Sequence, residues 1–197
     1  MANEFNLTIT IPVYNEEKLL TRALDSIPKR KDVQIIIIDD CSTDMTGKVA
    51  TDWVNEHRDE FGEVILQIND KNMGEGYCKY QAYGMTKGKY CITLNSYDYL
   101  YTREYNRCID YVISSGKDIV YINNDINNGT IWQQEARSST WHYFIRTDFL
   151  KEFGMDYSPD VMRDGDDNLF NYLKGIPKEE EHLFIVAYHH NYPREDD

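Results

Sequence analysis

Cysteine is scarce in this chain and never closely paired. Cys41, Cys78, Cys91 and Cys108 are irregularly spaced, with no CxxC pair. That excludes the usual zinc-ribbon pattern. Cys91 sits in an apolar run and reads as core, and buried thiols suit a reducing compartment. Long apolar runs are lacking too. A stretch such as Ile35 to Ile38 is far too short to span a bilayer. The opening MANEFNLTIT has no basic segment followed by an apolar one, so no secretory signal is expected. These absences together predict a soluble, cytoplasmic protein. Positive charge is also in deficit: 21 Lys and Arg stand against 34 Asp and Glu, a net charge of −13. An acidic chain repels a phosphate backbone unless its cations cluster, so general nucleic-acid binding is disfavoured. A diphosphate bridged by a metal ion is not excluded, because the ion reverses the local field. There is no internal repeat and no low-complexity tract. Oligomeric state leaves no mark in the sequence.

What is present supports one compact core. The chain has 197 residues, 41% of them hydrophobic. Strands are expected at Leu7 to Val13, Val33 to Ile38, Val64 to Ile68, Tyr90 to Leu94 and Ile119 to Ile122. Val33 to Ile38 is β-branched almost throughout, as in a strand buried on both faces. Helical spacing appears from Glu16 to Ile27, Thr46 to His57, Tyr77 to Thr86 and Arg103 to Ile113. Gly88 is expected to end the third of these. Alternating strands and helices imply an α/β fold, a mostly parallel Rossmann-like sheet flanked by helices. The pattern changes after Tyr121. Asn123 to Gly129 is turn-rich, Trp132 to Phe144 mixes aromatic and polar residues, and helices are expected at Thr147 to Phe153 and Asp167 to Leu173. The acidic stretches Lys178 to Glu181 and Glu195 to Asp197 read as solvated surface. We divide the single domain into two halves, 1–122 and 123–197.

In open parallel sheets, ligands bind beyond the carboxyl ends of the strands. Three post-strand segments are polar: Tyr14-Asn15-Glu16, Asp39 to Asp44, and Asn95-Ser96-Tyr97-Asp98. One of the paired aspartates Asp39 and Asp40 is explained by capping of the next helix. The other is free to accept hydrogen bonds from a base or ribose. Tyr14 offers a flat face for a base, or serves only as a rim residue.

These segments carry a family resemblance. Ile11-Pro12-Val13-Tyr14-Asn15-Glu16-Glu17 resembles the opening motif of family 2 glycosyltransferases with the GT-A fold. Ile37-Ile38-Asp39-Asp40-Cys41-Ser42-Thr43-Asp44 resembles their second motif, with Cys41 where glycine is usual. Asn72-Met73-Gly74 and Lys87 to Ile92 resemble the approach to the third. The resemblance covers Leu7 to Leu100 and, more loosely, runs to about Leu173. It implies a sugar-nucleotide donor, most simply a UDP-sugar, bound by Pro12, Tyr14, Glu16, Asp40, Lys79, Asn95 and Ser96. Asp40 would accept a hydrogen bond from the base. Lys79 would lie near the donor phosphates, or else be an exposed helix lysine. The third motif departs from the pattern. Tyr97 stands at the position of the aspartate that ligates Mn²⁺ or Mg²⁺, and tyrosine is a poor ligand for a hard cation. Asp98, shifted inward, is the remaining carboxylate, and His189 is a further candidate ligand. A metal-free enzyme is the alternative.

In the second half, Arg163 to Phe170 sets three carboxylates before an amphipathic segment. Charge complementarity at a helix start accounts for some of them. The segment resembles the family's catalytic-base motif. That places Asp166 on the general base of an inverting transferase, with Asp167 the neighbour most easily confused with it. Aromatics in Trp141 to Arg146 serve either sugar stacking or the core. The resemblance thus makes 1–122 the nucleotide-sugar-binding half and 123–197 the acceptor-binding and catalytic half, with a glycan or another hydroxyl compound as acceptor. Two rivals are weighed. A non-catalytic sugar-nucleotide-binding protein would suit Tyr97 but has little use for a base. A nucleotidyltransferase would carry a glycine-rich loop after the first strand, and Tyr14-Asn15-Glu16 contains no glycine.

Overall fold

The computed structural model describes residues 4–127, 129–132, 143–153 and 177–191. Among the described residues, nine strands form one sheet: β1 (Phe5–Val13), β2 (Val33–Asp39), β3 (Glu63–Ile68), β4 (Gly88–Thr93), β5 (Tyr99–Leu100), β6 (Ile119–Ile126), β7 (Ile131–Trp132), β8 (Tyr143–Arg146) and β9 (Glu180–His190). The helices are α1 (Leu20–Asp25), α2 (Thr46–His57), α3 (Glu75–Gly84), α4 (Thr102–Ser115) and α5 (Thr147–Phe153). The sheet order is β3-β2-β1-β4-β8-β6-β9-β5, with β7 on β6. β1, β2, β3 and β4 pair in parallel, as do β6 and β9. β8 enters antiparallel between β4 and β6.

Strand β2 shows why the core forms where it does. Ile35, Ile36, Ile37 and Ile38 are all fully buried. Side chains alternate across a strand. Ile35 and Ile37 therefore join one core with Leu20 and Leu24 of α1 and Trp53 of α2, while Ile36 and Ile38 face Cys78 and Ala82 of α3. Each such side chain contributes on the order of 1.5–3 kcal/mol by leaving water. Helices thus cover both faces of the parallel half, and its polar loops are left at the carboxyl edge.

Several expected boundaries shift for identifiable reasons. α1 starts at Leu20 rather than Glu16, because the amides of Glu16 and Glu17 donate to Thr46 Oγ1 and Asp44 Oδ2. α3 starts two residues before Tyr77, after Gly74 at φ +90°. Gly88 does not end that helix. It opens β4 and lies against the backbone of β1. β6 continues through Asn123, Asn124 and Asp125, expected as a turn, because β9 pairs along all three. Glu180 and Glu181 are not simply solvated. They lie in β9 and accept hydrogen bonds from Tyr121 and Tyr111. The expected helix at Asp167 to Leu173 lies outside the described residues. No described helix is long and apolar enough to cross a membrane.

Candidate functional site

A cleft of about 270 Å³ opens at the carboxyl ends of β1, β2 and β4. Pro12, Tyr14 and Glu16 line it from the end of β1, and Asp40 from the end of β2. Asn72, Gly74, Glu75 and Cys78 supply the wall from the β3–α3 turn and the first turns of α3. Asn95, Ser96 and Tyr97 close it from the end of β4. Grooves of about 590 and 500 Å³ lie elsewhere, the larger beside Trp53 between α1 and α2. Both are more open. The groove beside Trp53 gathers no strand ends, and Trp53 Nε1 already donates to Asp25. The 500 Å³ groove touches the ends of β2 and β3 at Asp39 and Ile68 but none of β1 or β4. The smaller cleft is therefore the candidate site.

The loops that build it are tied to one another. Asn15, at φ +53°, donates its amide to Ser42 Oγ and accepts from Thr43 N at 2.8 Å. Ser42 in turn donates its amide and hydroxyl to Asp39 Oδ1. Asp39 is thus the loop-holding member of the aspartate pair. Cys41 stands at φ +62°, a conformation that costs a side chain of order 1 kcal/mol and that glycine adopts freely. This is the physical reason glycine suits that position. Asp44 accepts from the amides of Thr46 and Glu17. Burial pushes its carboxyl up, but the Thr46 and Glu17 hydrogen bonds outweigh it and the pKa is lowered.

Asp40 is buried on the cleft wall. Its Oδ1 accepts from Asn69 Nδ2 and Met73 N, both at 2.9 Å, and its Oδ2 accepts from Gly74 N at 2.7 Å. Met73 N also reaches Oδ2 at 3.0 Å and the Cys78 thiol bonds the same carboxylate, so protein donors take up most of its acceptor positions. Asp40 both shapes the β3–α3 turn and faces the cleft. Tyr14 is 44% exposed at the rim, with its ring available to a planar ligand. Cys78 is held in its thiol form by burial and by the charge of Asp40, which raise its pKa. Lys79 is not an exposed helix lysine. It is buried, and its Nζ lies 2.6 Å from Glu75 Oε1.

The expected metal ligands lie off the cleft lining. Asp98 is fully buried. Its Oδ2 accepts from Tyr188 OH at 2.7 Å and Asn95 Nδ2 at 2.9 Å, and its Oδ1 from Asn191 N at 2.8 Å. His190 Nδ1 lies 3.2 Å from the same carboxylate. Burial and the Asp98 charge push the Tyr188 phenol well above its ordinary pKa, so it remains a donor. His189 stacks on Tyr99 at 4.3 Å and places Nδ1 2.8 Å from Asp125 Oδ1 and Nε2 2.8 Å from Asn127 Oδ1. Both ring nitrogens are engaged away from the cleft. Among the described residues, no three His, Cys, Asp or Glu side chains group as a metal site. Asp98 is already saturated by donors, and Tyr97 replaces the hard ligand. The described residues therefore do not fit a divalent cation.

Sequence reasoning missed several site residues. Glu75 and Cys78 line the cleft, and Arg22 Nη2 donates to the Tyr97 carbonyl at 3.0 Å while lying over the Tyr99 ring. The one-turn spacing of Glu75 and Lys79 was the available signal. Nothing local points to Tyr188 or Asn191. Of the aromatic segment before the base motif, Tyr143, Phe144 and Ile145 are core, and Trp141 and His142 lie outside the described residues. Asp164, Asp166 and Asp167 also lie outside them.

A mostly parallel sheet, helices on both faces and a cleft at the carboxyl ends of β1, β2 and β4 define an α/β fold of the GT-A type. The sequence profile described as "Glycosyl transferase family 2" matches residues 8–170, and the chain belongs to that family. It is 22% identical over 183 residues to the poly(ribitol-phosphate) β-N-acetylglucosaminyltransferase TarS of Staphylococcus aureus, spanning 83% of this chain and 31% of TarS. It is 27% identical over 154 residues to the glycosyltransferase GlyA of Streptococcus pneumoniae, spanning 77% of this chain and 20% of GlyA. The chain therefore spans less than a third of either relative. The crystal structure of TarS 1-349 in complex with UDP superposes with a TM-score of 0.78 at 20% identity, over 95% of this chain and 60% of that one. A mannosyltransferase from Pyrobaculum calidifontis, in complex with GDP-Man and Mn²⁺, gives 0.72 at 15% identity over 98% of this chain and 59% of that one. At these identities the likeness establishes the fold.

Proposed function

We propose that this chain is a glycosyltransferase that binds a UDP-sugar in the cleft and transfers the sugar, with inversion, to a hydroxyl group of a glycan or similar acceptor. The observation that carries the reading is the meeting of Tyr14, Asp40, Asn95 and Ser96 on one cleft, from strand ends 80 residues apart in sequence. Relatives named as transferases, and a fold neighbour in complex with UDP-GlcNAc, support it. In this reading Pro12 and Tyr14 pack against the base. Asp40 accepts from the base by sharing an acceptor position now taken by a protein donor. Glu16, Asn95 and Ser96 face the ribose and diphosphate. The acceptor hydroxyl attacks the anomeric carbon from the face opposite the nucleoside diphosphate, and Asp166 takes its proton. Asp98 and His189 are assigned to holding β5 and β9, not to a metal, and no step is routed through an ion. The enclosure of Asp98 favours the second reading, a sugar-nucleotide binder without transfer activity.

One experiment separates the two. Removing a general base typically costs about 10²–10⁴ in rate with little change in ground-state binding. Asp166→Asn is expected to lower transfer or donor hydrolysis by about that factor while UDP affinity stays constant. Full activity in Asp166→Asn together with its loss in Asp167→Asn would move the base by one residue. Activity retained in both would remove the base from this segment.

A further inference from the structure

The wall of the cleft has the wrong charge for the proposed ligand. Its charged lining residues are Glu16, Asp40 and Glu75, all carboxylates. A nucleoside diphosphate adds more negative charge, and like charges at close range oppose binding. A cation is paired with this wall through Glu75. Lys79 is 1% exposed, and its ammonium meets Glu75 one turn earlier on α3. The two partners differ sharply in environment: the Lys79 side chain is 2% exposed, that of Glu75 56%.

That difference has a physical consequence. A buried ammonium is costly unless an anion accompanies it, so Lys79 requires a negative partner. A half-exposed carboxylate gains little from such a pair and is well hydrated when it leaves. Glu75 is therefore an exchangeable partner of Lys79. We propose that Glu75 is a displaceable placeholder: its carboxylate occupies the place on Lys79 that the donor's diphosphate takes over on binding. This rests on the reading of the cleft as a nucleotide-sugar site. Glu75 lies in the first turn of α3, so a change of side-chain rotamer swings its carboxylate toward water without moving the helix. The lysine keeps an anion throughout, and the negative charge leaves the cleft as the diphosphate enters. The device taxes diphosphate affinity and leaves nucleoside affinity alone.

Calorimetric titration of uridine and UDP into the wild-type chain, Glu75→Gln, Lys79→Gln and the double variant tests this. Glu75→Gln is expected to tighten UDP binding by about fivefold or more, the scale of one close charge contact, and to leave uridine within about twofold. In the Lys79→Gln background the same change should bring little gain, because the contact to be inherited is gone. Unchanged or weaker UDP binding by a folded Glu75→Gln protein overturns the proposal. So does a gain that persists in full without Lys79, since that is plain repulsion rather than an occupied place. Should the wild-type chain bind neither uridine nor UDP, the cleft reading itself falls, and the placeholder with it. Thermal midpoints of the four proteins confirm that each is folded.

Discussion

Asp98 shows how a residue's surroundings decide its chemistry. A carboxylate without solvent is costly unless donors surround it. Asp98 receives Asn95, Tyr188 and the Asn191 amide, and in doing so ties the turn after β4 to the end of β9. Asp98→Asn replaces one acceptor oxygen with an amide nitrogen that cannot accept. At least one buried donor then faces another donor, so a loss of about 2–3 kcal/mol is expected. Denaturant unfolding at unchanged m-value reads it, and a loss below about 0.5 kcal/mol would contradict the assignment. Asp98 stood out in the sequence as the carboxylate left in a degenerate motif. Its partners did not, because Tyr188 is 90 residues away and nothing near Asp98 encodes it. The first two motifs were legible for the opposite reason. Asp39 and Asp44 accept from amides in their own turn, Ser42 and Thr46, and Asn15 accepts from Thr43 in the facing loop of the same βαβ unit, so their roles follow largely from local turn chemistry.

At the scale of elements, the parallel half was readable from periodicity, and the antiparallel strands were not. β2 announces itself by its isoleucines, and α2 spans the residues its spacing implies, Thr46–His57. β8 has four residues, and only its seat between β4 and β6 makes it a strand. Asn123 to Asp125 carry turn-forming side chains, and pairing with β9 overrides that preference. Gly88 is the instructive misreading, since a glycine after a helical run usually caps the helix. Here it is required by the sheet. A Cβ on Gly88 would sit 2.5 Å from Leu7 C and Thr8 N, which are backbone atoms unable to yield without parting β1 from β4. Gly88→Ala is therefore expected to cost about 2–3 kcal/mol or more. Thermal and denaturant unfolding check this, and stability within about 0.5 kcal/mol of wild type would contradict it.

At the scale of the molecule, one half of the sheet builds a cleft from strand ends, and the other braces it. β9 is the brace. It pairs with β6 along its length, takes β5 on its other side, and carries Tyr188 and His189 to the edge of the third motif. The net charge of −13 and a cleft lined by carboxylates both oppose an anionic ligand. Loop architecture and the buried Lys79 are what argue for one. The central claim is that the ends of β1, β2 and β4 and the start of α3 receive a uridine diphosphate. Amide hydrogen exchange with and without saturating UDP tests it directly, because a ligand slows the local opening of the backbone it holds. The account predicts slowed exchange in 12–17, 39–44, 69–79 and 94–98, with the groove beside Trp53 unchanged. Protection centred on α1 and α2 around Trp53, with none at those strand ends, would contradict it.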